Sequence, residues 1–292
     1  RIDMPTDFVP TIKVDAPLAS ALEPAITGAL SVLARTLPKR RWFRAKARKI
    51  KSVDLHDLIG VGEGPSRGAL AFQPVVDGTT LPRTPLEMIE AGSARGVHLL
   101  VGTNRHEATL FNFMDPELAD VDDNGVVERV AAWYGADAGS LVAAYRARRP
   151  DVSGLDLWTD VGTDAVFRIP AIRLAETQLA HGPVWMYLFT WETPVFGGVL
   201  KSSHALEIPF VFDTLESAVM FTGDAPERRD IADAMHAAWI AFARTGDPNT
   251  DGVPTWPAYD RERRATMRFD VKPEVLDDPM GDDRAAWGDF RR

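Results

Sequence analysis

Two textures of apolar residues alternate along the chain. Short unbroken apolar runs bounded by glycine or proline give way to longer stretches in which apolar residues recur every three or four positions. Val97-His98-Leu99-Leu100-Val101 is a run of the first kind, ends at Gly102 and predicts a buried strand. Val184 to Trp191 is the strongest strand signal, dense in aromatic and β-branched residues. Thr266 to Phe269 reads as a last short strand. The helical texture predicts a short helix at Pro85 to Ala91 with proline in its first turn. A longer helix is predicted from Thr163 to Ala180, capped by Thr163, kinked by Pro170 and stopped by Gly182 and Pro183. The clearest helix is Asp230 to Arg244, with Ile231, Met235, Trp239 and Phe242 as its buried stripe and Gly246 and Pro248 beyond its end. Ala19 to Leu37 places Leu22, Ile26, Leu30, Leu33 and Leu37 on one helical face, interrupted by Pro24 and Gly28. Helix followed by strand, twice over, predicts an α/β layered fold. The segment around Trp256-Pro257 reads as a packed loop.

Composition narrows the function classes. The chain has 292 residues, 45% of them hydrophobic, enough to bury a sizeable core. It has no cysteine, which removes disulfides, thiolate metal sites and cysteine nucleophiles. A net charge of −9 argues against a general nucleic-acid or anionic-membrane binder. One basic run, Lys39 to Lys51, holds eight Lys or Arg with Trp42 and Phe43 among them. It reads as a solvated face, because the rest of the chain repels a polyanion; a nucleic-acid arm is the competing reading. No apolar run approaches the roughly 20 residues of a membrane helix. No signal peptide is recognisable at the N-terminus, so a cytoplasmic location is the expectation, with secretion left open. The first residue is Arg1, and a fragment or processed product is expected.

Of six histidines, four read as structural or surface residues: His56, His98, His181 and His236. His204 stands apart. It follows the strongest strand and a glycine-bearing loop, and the apolar Ile208-Pro209-Phe210-Val211-Phe212 comes after it. Glu107 occupies a similar place after the strand at 97–101 and the turn Gly102-Thr103-Asn104. Strand-end loops in α/β folds display catalytic groups. An acid and then a histidine at two such ends fit a hydrolase triad in the chain order Ser, Asp or Glu, His. In such a triad the imidazole takes the serine proton, and the carboxylate on its other nitrogen fixes the tautomer.

Four segments carry a family resemblance. Gly102-Thr103-Asn104-Arg105-His106-Glu107-Ala108-Thr109-Leu110-Phe111 resembles the acid-bearing segment of type B carboxylesterases, the family of bacterial para-nitrobenzyl esterases and cholinesterases. Phe72-Gln73-Pro74-Val75-Val76-Asp77-Gly78, with Leu81-Pro82, is similar to the segment that precedes it there. Ser203 to Phe212 resembles the histidine segment, and Trp239 to Asn249, followed by Pro254-Thr255-Trp256-Pro257, the C-terminal helix and turn. The resemblance covers about residues 49–287. It implies an α/β-hydrolase fold, Glu107 as triad acid, His204 as triad base, and hydrolysis of small-molecule carboxylic esters through an acyl-serine, with no metal or organic cofactor. Residues 1–62 then form a poorly matching N-terminal segment, and 63–292 the C-terminal part of the esterase domain.

Two departures stand out. His106 takes the place where the family usually has aspartate. The nucleophile elbow and the glycine-rich oxyanion loop are not recognisable in residues 1–62, so the fold is expected to be incomplete and the missing N-terminal part of the domain to be a partner. The string Gly64-Pro65-Ser66-Arg67-Gly68 matches the elbow pattern, yet Pro74 leaves no room for the helix that must follow the serine. Ser66 is therefore read as a loop residue. The alternative to an esterase is a catalytically inactive interaction module or fragment on the same fold. Phe111, Phe113, Trp191 and Phe196 are candidates for an apolar pocket, with at least half of them expected in the core.

Overall fold

The computed structural model describes residues 76–288, apart from 114, 116 and 117. The expected helix at 19–37, the basic run at 39–51, His56, Ser66, the boundary at residue 62 and most of the 72–78 segment lie outside the described residues. In the remainder of that segment, Asp77 Oδ1 accepts the amides of Thr79, Thr80 and Leu81, at 2.8, 2.7 and 3.0 Å, and folds it into a turn.

Helix α1 (Pro85–Glu90) opens with a capping box between Thr84 and Glu87. Strand β1 (Leu99–Asn104) follows. Helices α2 (Asp123–Tyr134), α3 (Ala138–Arg148), α4 (Gly154–Thr163) and α5 (Ile169–Gln178) lead to β2 (Val184–Phe189). The long α6 (Arg228–Thr245) precedes β3 (Ala265–Phe269), β4 (Glu274–Asp277) and α7 (Gly281–Ala286). The strands form one sheet in the order β1-β2-β3-β4, parallel up to β3 and antiparallel for β4. Ion pairs Arg268–Glu274 (2.9 Å) and Arg263–Asp277 (2.6 Å) link β3 and the turn before it to β4.

Although β2 is apolar at every position, its side chains alternate between two cores. Val184 and Met186 join a cluster built from α2 to α5, with Val126, Leu141, Tyr145, Leu157 and Val161. Trp185 and Phe189 join a second cluster with Ile231, Met235 and Ala238 of α6 and with Trp256 and Phe269. Helices on both faces of a mostly parallel sheet make the α/β layered arrangement expected from the sequence. Trp256 is buried in its loop, and Gly246 ends α6 in the left-handed conformation.

Three expectations need correction. The first strand runs from Leu99 to Asn104 rather than stopping at Gly102. Gly102 sits opposite Tyr187, and a Cβ there collides with the Tyr187 carbonyl and ring. The glycine admits a close neighbour instead of ending the strand. The helix expected from Thr163 begins at Gly154, where Ser153 caps it by accepting the Asp156 amide at 3.0 Å. The chain stays helical through Gln178, widening into a π turn at Asp164–Arg168. There the Ile169 amide reaches back to the Asp164 carbonyl. Pro170 has no amide to donate, and the wide turn just before it absorbs the misfit. The third correction is β4, which the alternation of polar residues at its ends concealed.

Gly102→Ala is expected to destabilise the chain by about 1–3 kcal/mol through overpacking against Tyr187. Gly139→Ala in α3, where a new Cβ meets nothing within 4 Å, is expected to stabilise it by about 0.5 kcal/mol. Urea unfolding midpoints of the two variants therefore move in opposite directions.

Candidate active site

Because β1 and β2 are parallel and in register from Leu99 opposite Val184 to Asn104 opposite Phe189, the segments that leave them emerge side by side. The Phe189 carbonyl joins the two. It accepts the Arg105 amide at 2.8 Å and the Ser202 hydroxyl at 2.8 Å. The His106 amide donates to the Ser202 carbonyl at 3.0 Å. Both predicted residues, Glu107 on one segment and His204 on the other, thus come to the C-terminal edge of the parallel strands, where α/β sheets place ligands.

There they meet. His204 Nδ1 lies 2.6 Å from Glu107 Oε2. Glu107 is 6% exposed, and its other oxygen accepts the Asn104 amide at 2.7 Å. A carboxylate acceptor makes Nδ1 the protonated nitrogen and leaves Nε2 free to take a proton. The His204 side chain is 41% exposed, so the ring is within reach of a reacting group. The hydrogen bond that His204 donates to Glu107 raises the His204 pKa above 6.5, against the opposing effect of burial.

A second carboxylate stands behind the first. Asn104 Nδ2 donates to Glu207 Oε2 at 2.6 Å and to the Ser203 carbonyl at 2.7 Å. Burial raises the Glu207 pKa, against the pull of the Asn104 bond. Asn104 therefore braces Glu107 through its backbone and the histidine segment through its side chain. Lys201 and Ala205, on either side of the serine–histidine stretch, are non-glycine residues at φ 50° and 66°. Such conformations cost energy and persist where packing fixes them, often near functional groups.

His106 is largely but not fully buried, and it loses its charge easily. Burial first, then Arg105 and Lys201, pull its pKa down to about 3, so it stands neutral beside Glu107. The other described histidines serve the backbone: His98 Nδ1 donates to Gly246 O (2.9 Å), His181 Nε2 to Glu90 O (3.2 Å) and His236 Nδ1 to Val211 O (2.7 Å). This agrees with their structural reading. Among the described residues no group of three His, Asp or Glu side chains is gathered as a metal would need. No described helix is long and apolar enough to cross a membrane.

Of the four aromatic candidates only Trp191 belongs to the core, which corrects the expectation that at least half would. Phe111, Phe113 and Phe196 are exposed beside the site. Phe111 lies 5.3 Å from the His204 ring, centroid to centroid, and Phe113 pairs with Phe196 at 6.4 Å. Sequence reasoning missed Phe167, whose ring lies 5.1 Å from His204. It sits in the π turn, a feature that apolar spacing at 3.6 residues cannot reveal. It also missed Glu207, although that residue lies in the quoted histidine segment.

In a pH titration followed by NMR, His204 is expected to have its midpoint above 6.5. In Glu107→Gln, burial becomes the larger influence and the midpoint falls to 6.5 or below. An unchanged midpoint would show that Glu107 does not act on the ring.

The sequence and the fold both have close counterparts. The family model described as Carboxylesterase family matches residues 41–287. The para-nitrobenzyl esterase of Bacillus subtilis is 34% identical over 231 residues, which is 78% of this chain and 45% of that protein. The phenmedipham hydrolase of Pseudarthrobacter oxydans is 32% identical over 208 residues, 68% of this chain and 40% of that protein. A crystal structure of the Geobacillus stearothermophilus carboxylesterase superposes with a TM-score of 0.66 at 38% identity, covering 76% of this chain and 48% of that one. The chain spans less than half the length of these relatives. With the match running across nearly all of it, and with the sheet and helices of an α/β-hydrolase, this chain belongs to the carboxylesterase family.

Proposed function

We propose that this chain carries the acid and base of a Ser-Glu-His triad that hydrolyses small-molecule carboxylic esters. The observation that carries the reading is the 2.6 Å contact between the buried Glu107 carboxylate and Nδ1 of the half-exposed His204. In this reading Nε2 of His204 takes the proton of a serine hydroxyl as the serine attacks the ester carbonyl. The resulting imidazolium gives that proton to the departing alcohol, and water then releases the acyl group by the same two steps. Glu107 holds the tautomer throughout and stabilises the imidazolium. Phe111 and Phe167 flank the imidazole, which favours esters with apolar substituents.

The serine is read as coming from sequence outside residues 1–292. In the sequence Pro74 follows Ser66 too closely to leave room for the helix that an elbow needs, and the matched relatives are more than twice as long as their matched parts.

A serine-directed phosphonate, applied to the polypeptide that includes the rest of the domain, is expected to label a serine outside these 292 residues. Labelling at Ser66, or hydrolysis of p-nitrophenyl butyrate by the chain alone that Ser66→Ala abolishes, would overturn the reading. In the active polypeptide, His204→Ala is expected to lower kcat by about 10⁴-fold or more. The base must be neutral to accept a proton and its pKa lies above 6.5, so kcat/KM is expected to rise with pH through a limb above 6.5.

A further inference from the structure

Helix α4 turns a polar face toward the segment that bears Glu107. Thr159, Asp160 and Thr163 are all buried, and Thr163 lies four and three residues beyond the other two, a spacing that brings it next to each of them on the helix surface. Their partners are successive stations along that segment. Arg105 Nη1 donates to Asp160 Oδ1 at 2.9 Å, the Ala108 amide to Thr163 Oγ1 at 3.1 Å, and Asn112 Nδ2 to Thr159 Oγ1 at 2.9 Å. Asp160 also pairs with Arg149 of the segment after α3 (2.9 Å), which pairs in turn with Asp283 of α7 (2.9 Å). The clamp is therefore anchored outside the loop it holds. The helix then runs directly into the π turn whose Phe167 packs on the imidazole.

Thr163 is the most informative of the three. It is 1% exposed, and it is the partner of the amide next to Glu107. A buried amide that loses its partner moves toward water or toward another acceptor. The carboxylate one residue away moves with it.

We propose that Thr163 is a positioning residue: its hydroxyl, held in the polar face of α4, keeps the Glu107 carboxylate on Nδ1 of His204. The proposal rests on the reading of Glu107 and His204 as acid and base. Thr163→Val keeps the shape and removes the acceptor, whereas Thr163→Ser keeps the acceptor. Val184→Ala is the control for general loosening, since Val184 is fully buried at the far end of β2 from the site.

The test is the NMR titration of His204 in the whole 292-residue chain, with Thr163→Ala measured as well in case valine disturbs folding. The wild-type midpoint is expected above 6.5. In Thr163→Val and Thr163→Ala it is expected to fall by about one pH unit, while Thr163→Ser and Val184→Ala stay near wild type. If the valine and alanine variants titrate like wild type, Thr163 holds nothing that matters to the imidazole. If Val184→Ala falls as far as they do, the effect is loss of stability and the proposal fails. A wild-type midpoint at or below 6.5 is a different failure, because it removes the carboxylate–imidazole pair itself.

Discussion

Strands β1 and β2 lie side by side for six residues, parallel and in register, and their last residues are Asn104 and Phe189. Every feature of the site depends on that alignment. The acid segment and the histidine segment are far apart in sequence, Glu107 and His204 being separated by 97 residues. Parallel pairing makes them neighbours and gives the Phe189 carbonyl a donor from each. An antiparallel pairing would have sent them to opposite ends of the sheet. The pairing in turn requires a glycine at 102, where the Tyr187 ring lies against the strand.

The core elements were legible because their signals are local. Six consecutive apolar residues in β2 and the four-and-three spacing in α6 leave little choice of structure. Glu107 and His204 were legible from their places after strands together with the motifs around them. The distance between them was not, since it depends on a register set by pairing. The π turn escaped because it departs from the 3.6-residue period, and with it went Phe167. The polar face of α4 escaped for a related reason. Thr163 reads as the cap of a helix that begins earlier, Thr159 and Asp160 carry no signal of burial in the sequence, and only the tertiary fold places Arg105, Ala108 and Asn112 against them.

Burial of polar groups is where this chain departs most from a simple packed sandwich. Asp164 and Arg168 form a bidentate pair at 2.6 Å in the π turn, and the Tyr145 hydroxyl also bonds Asp164 and receives Trp287 Nε1 at 2.6 Å. Breaking such a pair on one side leaves an uncompensated charge and costs several kcal/mol, about 3–5. Such groups give the helical layer a single arrangement, because few alternatives satisfy all of them at once. The elements around the imidazole are therefore fixed by directional bonds as well as by apolar contact.

At the β4 margin, the sheet ends in charge. Glu274 and Asp277, paired with Arg268 of β3 and Arg263 before it, lie on β4, a strand whose other side pairs with nothing among the described residues. A strand that tried to add there would approach the half-exposed Glu274 and Asp277 carboxylates and have to strip their water. Natural sheets guard their margins with such side chains. For a protein with Phe111, Phe113 and Phe196 exposed near its site, that guard bears on shelf life: charge at this margin disfavours self-association by strand addition, and clumping through apolar faces is the route to watch at high concentration.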